Sequence, residues 1–470
     1  MTSRRSFLLT AAGLALSPVL AGCAHRGPGG MVIARAARRN QEGGDGLLRL
    51  ACVGVGNRGW DNVQEVRNEH IVALCDVDSL YLGRACAAFP QAKAFADYRE
   101  LLSQHAEIGI DGIVIATPDH THFPIAKAAL LAGLPVYCEK PLTHTREQAV
   151  ELRELAAKAG VPTQMGTQIH ATANYRRVVE AVRGGAIGRI TAVDCWQQKS
   201  WGGGRLTPGA VAPKQLDWNL WLGDEPRVPY IEGIHPANWR RYWAYGTGTL
   251  GDMGCHILDL PVWALGLAPC ADLPGSGAPR EMHVQAEGPP ADAVGTPEWL
   301  EVSWAIPGAA GEGNDPLVLR WFDGGRISPF VQEIGAKDRQ DYHGRFSVCF
   351  QGTQGAIFAN YDEMLVWPPA RAAEWYGRTA EEALAPAPGA DGKPVPRPTL
   401  TPMPGSPAAG VPLLPPSRGH HAEWLQAIRE GKPDAPLCNF AYGGRLTELV
   451  LAGTEAYRAG KPIRVTVGAA

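Results

Sequence analysis

The apolar positions of the chain follow two rhythms that change near residue 167. In the first stretch, fully apolar runs alternate with helical periodicity. Leu47-Leu48-Arg49-Leu50-Ala51-Cys52-Val53, Ile71-Val72-Ala73-Leu74-Cys75, Gly112-Ile113-Val114-Ile115-Ala116 and Leu134-Pro135-Val136-Tyr137-Cys138 read as buried strands. A helix carrying Trp60, Val63 and Val66 follows the first run, and another through Ala126 to Leu131 precedes the last. Strands and helices in alternation with short joints predict a doubly wound α/β domain, a parallel sheet with helices on both faces.

From about Thr167 the pattern shifts. Helical periodicity spans Tyr175 to Val182, strand-like residues run from Arg189 to Trp196, and further strand signals fall at 301–306, 317–322, 346–350 and 356–358. Most of these have no helix of crossover length between them, so the expectation is an α+β domain with a largely antiparallel sheet. The predicted organisation is a first domain at 47–166 and a second at 167–470. Within the second, the Pro-, Ala- and Gly-rich residues 385–419 are expected to cross the molecule as a long loop, and helices after His420 and Gly443 to close it.

Length and charge narrow the function. A chain of 470 residues is long enough for two domains. Lys plus Arg number 44 against 47 Asp plus Glu, a net −3 that leaves no basic excess for nucleic acid. The start of the chain has its own meaning. Arg4-Arg5-Ser6-Phe7-Leu8 and the apolar run to Leu20 have the form of a twin-arginine export signal, too short to span a bilayer. Leu20-Ala21-Gly22-Cys23 resembles a lipobox, which makes Cys23 the candidate lipid anchor and the only expected link to a membrane. Residues 1–23 are then signal, residues 24–46 a flexible tether, and the location periplasmic. The other nine cysteines show no C-x-x-C pair and are expected to be buried thiols, consistent with folding before export. Cargo that folds before export commonly carries a bound cofactor.

The first predicted strand runs into Gly54-Val55-Gly56-Asn57-Arg58-Gly59 and then into a helix. In a G-x-G-x-x-G the first glycine permits the tight turn, the second lets backbone approach a pyrophosphate, and the third allows helix to pack closely on strand. The second strand ends at Asp76, about where a carboxylate accepting from an adenosine ribose belongs. That carboxylate repels a 2′-phosphate and favours NAD; Arg58, able to pair with an extra phosphate, argues for NADP as the alternative. Ligands of such sheets sit beyond the carboxyl ends of the strands, here Thr117-Pro118-Asp119-His120-Thr121-His122 and Glu139-Lys140-Pro141.

The glycine loop, the acid at the second strand, the T-P-x-x-x-H ending at His122, the E-K-P at 139–141 and a later D-x-x-x-H together resemble the Gfo/Idh/MocA oxidoreductases, the group of glucose-fructose oxidoreductase and inositol dehydrogenase. The resemblance covers most of the chain after the signal and implies a Rossmann-type domain that binds a nicotinamide cofactor. It also implies that Thr117, Pro118, His122, Glu139 and Lys140 border that cofactor and that Lys140 lies at the reacting carbon. Independently, an ammonium at a strand end beside the ligand crevice can donate to an oxygen that gains negative charge during hydride transfer.

In the second domain, Asp252 and His256 are one helical turn apart and share a face. An imidazole can take a proton from an alcohol near neutrality, and a neighbouring carboxylate can orient the ring and favour its cation. The resemblance places the family's D-x-x-x-H on this pair as orienting group and proton acceptor; Asp259 is a candidate partner for His256. Between Trp196 and Tyr245 lies an aromatic stretch, including Trp201, Trp218, Trp221, Tyr230, His235, Trp239, Arg240, Tyr242 and Trp243, that suits either a saccharide pocket or a packed core. Trp239, Arg240, Gln168 and His170 are candidate substrate contacts. His420-His421 lacks a third ligand at a recognisable spacing, so no metal is expected.

The expectation is an exported NAD(P)-dependent oxidoreductase acting on a sugar or glycoside hydroxyl, with a tightly held cofactor recycled by a second carbonyl substrate, and a homo-oligomeric assembly. Two rivals remain: an NAD-dependent glycosidase that oxidises transiently and cleaves by elimination, and a sugar-binding lipoprotein with an inactive cofactor site.

Overall fold

Six strands of three to six residues, nearly all of them apolar, make the first sheet: β1 (Arg49–Val53), β2 (His70–Cys75), β3 (Lys93–Phe95), β4 (Gly112–Ile115), β5 (Val136–Cys138) and β6 (Thr163–Met165). All pairings are parallel and the order is β3-β2-β1-β4-β5-β6. The order reverses between β1 and β4, which opens a crevice at their carboxyl ends. The structure is a computed structural model that describes residue 32 and residues 44–308, 315–377, 387–388, 394–395 and 404–467. The signal, the lipobox cysteine, most of the tether and 15 of the 35 residues of the Pro-rich segment 385–419 lie outside the described residues.

The strands β3 and β6 escaped the sequence reading because Lys93-Ala94-Phe95 and Thr163-Gln164-Met165 form no apolar run, whereas the equally short β5 continues the apolar stretch from Leu134. The other four strands fall where the apolar runs predicted. Helices Arg58–Glu65, Ser79–Ala88, Asp119–Leu131 and Arg146–Ala159 link them. The last of these is closed at its start by a capping box, Thr145 with Gln148, and at its end by Gly160 in the left-handed region.

The second sheet has eight strands: β7 (Ile190–Gln197), β8 (Arg280–Glu287), β9 (Glu301–Ile306), β10 (Leu317–Asp323), β11 (Val348–Gly352), β12 (Gly355–Ala359), β13 (Met364–Trp367) and β14 (Ile463–Val467). Its order is β13-β12-β11-β7-β10-β9-β8-β14. Every neighbouring pair is antiparallel except β7 with β10, so the sheet is largely antiparallel, as the sequence predicted. The parallel pair is possible because the residues between β7 and β10 include helices that return the chain to the starting edge.

The two halves share elements of the C-terminal chain. Helix His420–Glu430 places Trp424, Leu425 and Ile428 in one apolar layer with Leu48, Leu50, Cys52 and Val114 of the first sheet. Trp424 is fully buried, close enough to β4 that a Cβ on Gly112 would lie 3.0 Å from its ring. Helix Phe440–Ala459 lies between the two halves. A Cβ on Gly443 would meet Met165 at 2.8 Å, and one on Gly453 would meet Leu250 and Trp304 at 2.8 and 2.9 Å. These close approaches fix the second sheet's helices against the crevice of the first.

Candidate active site

The glycine turn is built where side chains cannot go. Gly54 has φ +77°, and a Cβ there would stand 2.6 Å from the Ala116 carbonyl oxygen. A Cβ on Gly59 would stand 2.0 Å from the Gly54 oxygen, so the third glycine serves helix packing, as predicted, and is not a wall of the cleft. Gly54, Gly56, Asn57 and Arg58 do line the cleft, a cavity of about 640 Å³ at the carboxyl ends of β1 and β4. Asp76 also lines it. Its Oδ2 accepts from the Val55 amide at 2.8 Å and its Oδ1 from the Asp78 amide at 2.9 Å. Burial raises this carboxyl above its ordinary value, against the pull of those two amides. The carboxylate is thereby fixed with lone pairs to spare for hydroxyl groups. A turn whose three glycine positions leave no room for a Cβ, a helix beginning beside it and a fixed acid across the cleft fit a dinucleotide.

Thr117, Pro118, His122, Glu139 and Lys140 line the same cavity. His122 ties two strand ends together: its Nδ1 lies 2.8 Å from the Pro141 oxygen and its Nε2 2.8 Å from the Thr117 oxygen. Glu139 Oε1 accepts from Gln168 Nε2 at 2.7 Å, Asn62 Nδ2 at 2.9 Å and Arg58 Nε at 3.1 Å. Burial opposes its ionisation, yet the Arg58 and Lys140 charges with these hydrogen bonds bring it down to about 2. The Arg58 guanidinium, the feature that argued for NADP, is held by Glu139 at 3.1 Å and lies 3.6 Å from Asp61.

Helix Gly248–Ile257 brings the second half to the cleft. Lys140 Nζ donates to the Asp252 backbone oxygen at 2.6 Å and to its Oδ1 at 2.9 Å. Arg240 Nε donates to Oδ1 at 2.9 Å, while Lys199 Nζ and Trp201 Nε1 donate to Oδ2 at 2.7 and 2.6 Å. Burial would raise this carboxyl, but Lys140, Arg240 and Lys199 hold it well below the usual carboxylate range.

Asp252 therefore does not orient His256, contrary to the sequence expectation. Shared helical face is not enough: three cations and an indole N–H compete for a short side chain, and a neutral imidazole loses. His256 lines the cavity, and its buried Nδ1 has no hydrogen-bond partner among the described residues. Burial first, then the Lys140 charge, push its pKa down to about 3, so the ring is neutral rather than poised near 6.5. Asp259 is also not its partner. Asp259 is buried and accepts from Tyr442 Oη at 2.6 Å, with His170 Nδ1 at 3.0 Å.

That contact removes His170 from the substrate candidates. It is buried, stacked on Trp263 at 3.8 Å between ring centroids, and is not part of the cavity wall. Cys438 lies near this pair, its sulfur within 4.8 Å of the ligand atoms of His170 and Asp259. Gln168, Trp239 and Arg240 do line the cleft. The aromatic stretch divides. Trp218, Trp221, Tyr230, Tyr242 and Tyr245 form a satellite core with ring centroids 4.7 to 6.4 Å apart, and Trp196 and Trp243 are buried elsewhere; Trp221 and Trp239 also reach the cavity. His420 and His421 are packing groups too: His420 Nε2 lies 2.8 Å from the Met165 oxygen, and His421 stacks on Tyr137 at 4.3 Å.

Sequence reasoning missed Lys199, Asp119 as a charged wall, and Tyr361. All three line the cleft. Lys199 stands two residues past the end of β7, a strand-end position of the kind that exposed Lys140, and that was its one available signal. Asp119 accepts from Thr247 Oγ1 at 2.8 Å, and burial raises it to about 6 against Arg240 and Lys140.

Comparison with known proteins agrees with this geometry. The Gfo/Idh/MocA profile described as "Oxidoreductase family, NAD-binding Rossmann fold" matches residues 48–167, and the profile of the family's C-terminal alpha/beta domain matches residues 182–307; together they cover just over half of the chain. Inositol 2-dehydrogenase of Corynebacterium glutamicum (strain R) is 32% identical over 148 residues, 30% of this chain and 43% of that protein. A glycosyl hydrolase family 109 protein of Stenotrophomonas maltophilia (strain K279a) is 29% identical over 208 residues, 41% of this chain and 42% of that one. The chain thus matches less than half the length of these relatives. Among solved structures, the WlbA dehydrogenase of Bordetella pertussis in complex with NADH and UDP-GlcNAcA superposes with TM-score 0.56 at 17% identity, covering 90% of this chain and all of that one, a likeness of fold.

Proposed function

Because this chain belongs to the Gfo/Idh/MocA oxidoreductase family, we propose that it transfers a hydride between a carbohydrate hydroxyl carbon and a nicotinamide cofactor held in the cleft, acting as an NAD-dependent sugar or polyol dehydrogenase. One observation carries the reading: Lys140 from the first half and His256 from the second line a single cavity with the glycine turn and Asp76. NAD, when bound, supplies the hydride acceptor. Asp76 would hold its adenosine ribose, and the turn at Gly54–Arg58 its phosphates.

The chain's own residues supply the rest. Lys140 is anchored by Asp252 and presents its ammonium to the substrate oxygen, stabilising the charge that develops there. His256 stands neutral, the form that accepts a proton, with one ring nitrogen free of protein partners. The clamp of Asp252 by Arg240, Lys199 and Trp201 keeps Lys140 from drifting, so the reacting groups need little reorganisation.

The twin-arginine motif supports export with the cofactor already in place, and a second carbonyl substrate would then return it to the oxidised form. Denaturing purified protein and weighing the released small molecule tests cofactor retention; a sugar panel read by absorbance of reduced nicotinamide tests the reaction. A protein that neither carries nor takes up a nicotinamide would overturn the proposal.

The similarity to a glycosyl hydrolase family 109 protein favours one second reading, cleavage of a glycosidic bond through transient oxidation. Both reactions begin with the same hydride removal at the same two residues. Aryl glycosides separate them: aglycone release without net reduced cofactor indicates cleavage.

A further inference from the structure

The charges at the catalytic end of the cleft speak to the substrate itself. Three cations, Lys140, Lys199 and Arg240, converge on the one carboxylate of Asp252. The side chains are 10%, 41% and 22% exposed, so the first and third are largely withdrawn from water. The neighbouring anions do not cancel them. Glu139 also feels Lys140 but is matched by its own partner Arg58, and Asp97 pairs with Arg99. Asp119 is buried beside Arg240 and Lys140 but, with a pKa raised to about 6, is only mildly acidic. Even with Asp119 ionised, three positive charges face two negative ones. An oxidised nicotinamide ring adds a further positive charge to the same region.

A neutral hydroxyl needs one donor and one proton acceptor, which Lys140 and His256 provide. It needs no excess of positive charge, and withdrawing unbalanced charge from water is costly. The side chains of Lys199 and Arg240 are also aimed rather than loose. Lys199 Nζ lies 4.5 Å from the centre of the Trp201 ring, and the Arg240 guanidinium carbon 4.0 Å from that of Trp239. Each keeps hydrogen-bond capacity beyond its contacts: an ammonium has three donors and a guanidinium five in a planar fork suited to a carboxylate. The cofactor's phosphates have their own place at the glycine turn and helix start.

We propose that the substrate is an acidic saccharide, a uronate or aldonate, whose carboxylate is bound by Lys199 and Arg240 while its reacting hydroxyl lies between Lys140 and His256. This rests on the dehydrogenase reading above. The carboxylate takes no part in the chemistry; it sets specificity.

The test uses matched pairs, glucuronate against glucose and galacturonate against galactose, with glucose 6-phosphate as a second anion. Reduction of the bound nicotinamide is followed in single turnovers, with quenching of tryptophan fluorescence as a separate measure of binding. The expected result is a kcat/KM at least about tenfold higher for the uronate of a pair. Lys199→Met should raise KM for the uronate about tenfold, change kcat by the same factor for both sugars of a pair, and bring the kcat/KM ratio near one. Lys199→Arg should restore most of the preference, and thermal melts of both variants check that they fold. Neutral sugars that reduce the nicotinamide as well as uronates do, or the phosphate preferred to every carboxylate, overturns this inference and leaves the dehydrogenase reading standing. Uronate binding that is saturable and Lys199-dependent, with no reduction by any sugar, keeps the acidic ligand and overturns the dehydrogenase reading instead.

Discussion

The two ends of the cleft are made differently. At the cofactor end, Gly54, Gly56, Arg58 and Asp76 lie within 23 consecutive residues and are placed by one strand-turn-helix-strand unit. At the catalytic end, Lys140, Lys199, Trp201, Arg240, Asp252 and His256 come from segments up to 116 residues apart and meet only because the second sheet is docked on the first. The first end is set by local geometry, and each residue keeps its position if its neighbours in sequence do. The second is set by mutual electrostatics: one carboxylate collects three cations, and the position of each depends on the others.

The comparison predicts that damage at the catalytic end costs rate and damage at the cofactor end costs retention. Lys140→Met should lower kcat by about a thousandfold with nicotinamide content unchanged, a split read by single-turnover rates and by mass of the released cofactor. Loss of the cofactor together with the rate would erase the distinction between the two ends. Glu139 joins them, since it binds Arg58 at the turn and precedes Lys140, so Glu139→Gln should cost stability. With its pKa depressed from 4.5 to about 2, the stabilisation is complete above pH 4.5 and is lost as pH falls through 2. Urea unfolding should show a difference of roughly 3 kcal/mol at pH 7, shrinking to about half at pH 3.

Gly54→Ala brings a Cβ to 2.6 Å from a backbone oxygen at positive φ, a strain of about 1–3 kcal/mol. Bound nicotinamide should fall at least several-fold while any protein that retains it turns over normally, measured as rate per bound cofactor. The smallest effect is in pH dependence. His256, held neutral down to about 3, should contribute no acid limb of its own to kcat/KM between pH 5 and 8. Asp119, titrating near 6, gains a proton as pH falls and leaves Lys140 and Arg240 less balanced. A change of a few-fold centred near pH 6 should therefore vanish in Asp119→Asn.

How much of this was legible in the sequence follows the same division. Four strands of the first sheet, the glycine turn and Asp76 were readable because each is a matter of neighbours: an apolar run, a six-residue spacing, an acid at a strand end. Lys140, Asp252 and His256 were found through motif resemblance and helical spacing, and they do reach one cavity. Their partnerships were not legible. Spacing places Asp252 beside His256, but only the folded chain shows Lys199, Trp201 and Arg240 arriving to claim the carboxylate. His170 and Asp259 looked available and prove to be each other's partners, and Trp218 stacks on Trp221 and packs against Tyr230 in a satellite core. The return of Trp424 to the first sheet is a contact across more than 300 residues, beyond any local pattern.

The most direct test of the account is single-turnover reduction of the protein's own nicotinamide on mixing with saccharides, in the unaltered protein and in Lys140→Met. The account predicts a substrate-dependent rise in reduced-nicotinamide absorbance that is nearly abolished by the substitution while cofactor content stays the same. An equal rise in the variant, or cofactor-loaded protein that no saccharide reduces, would contradict it.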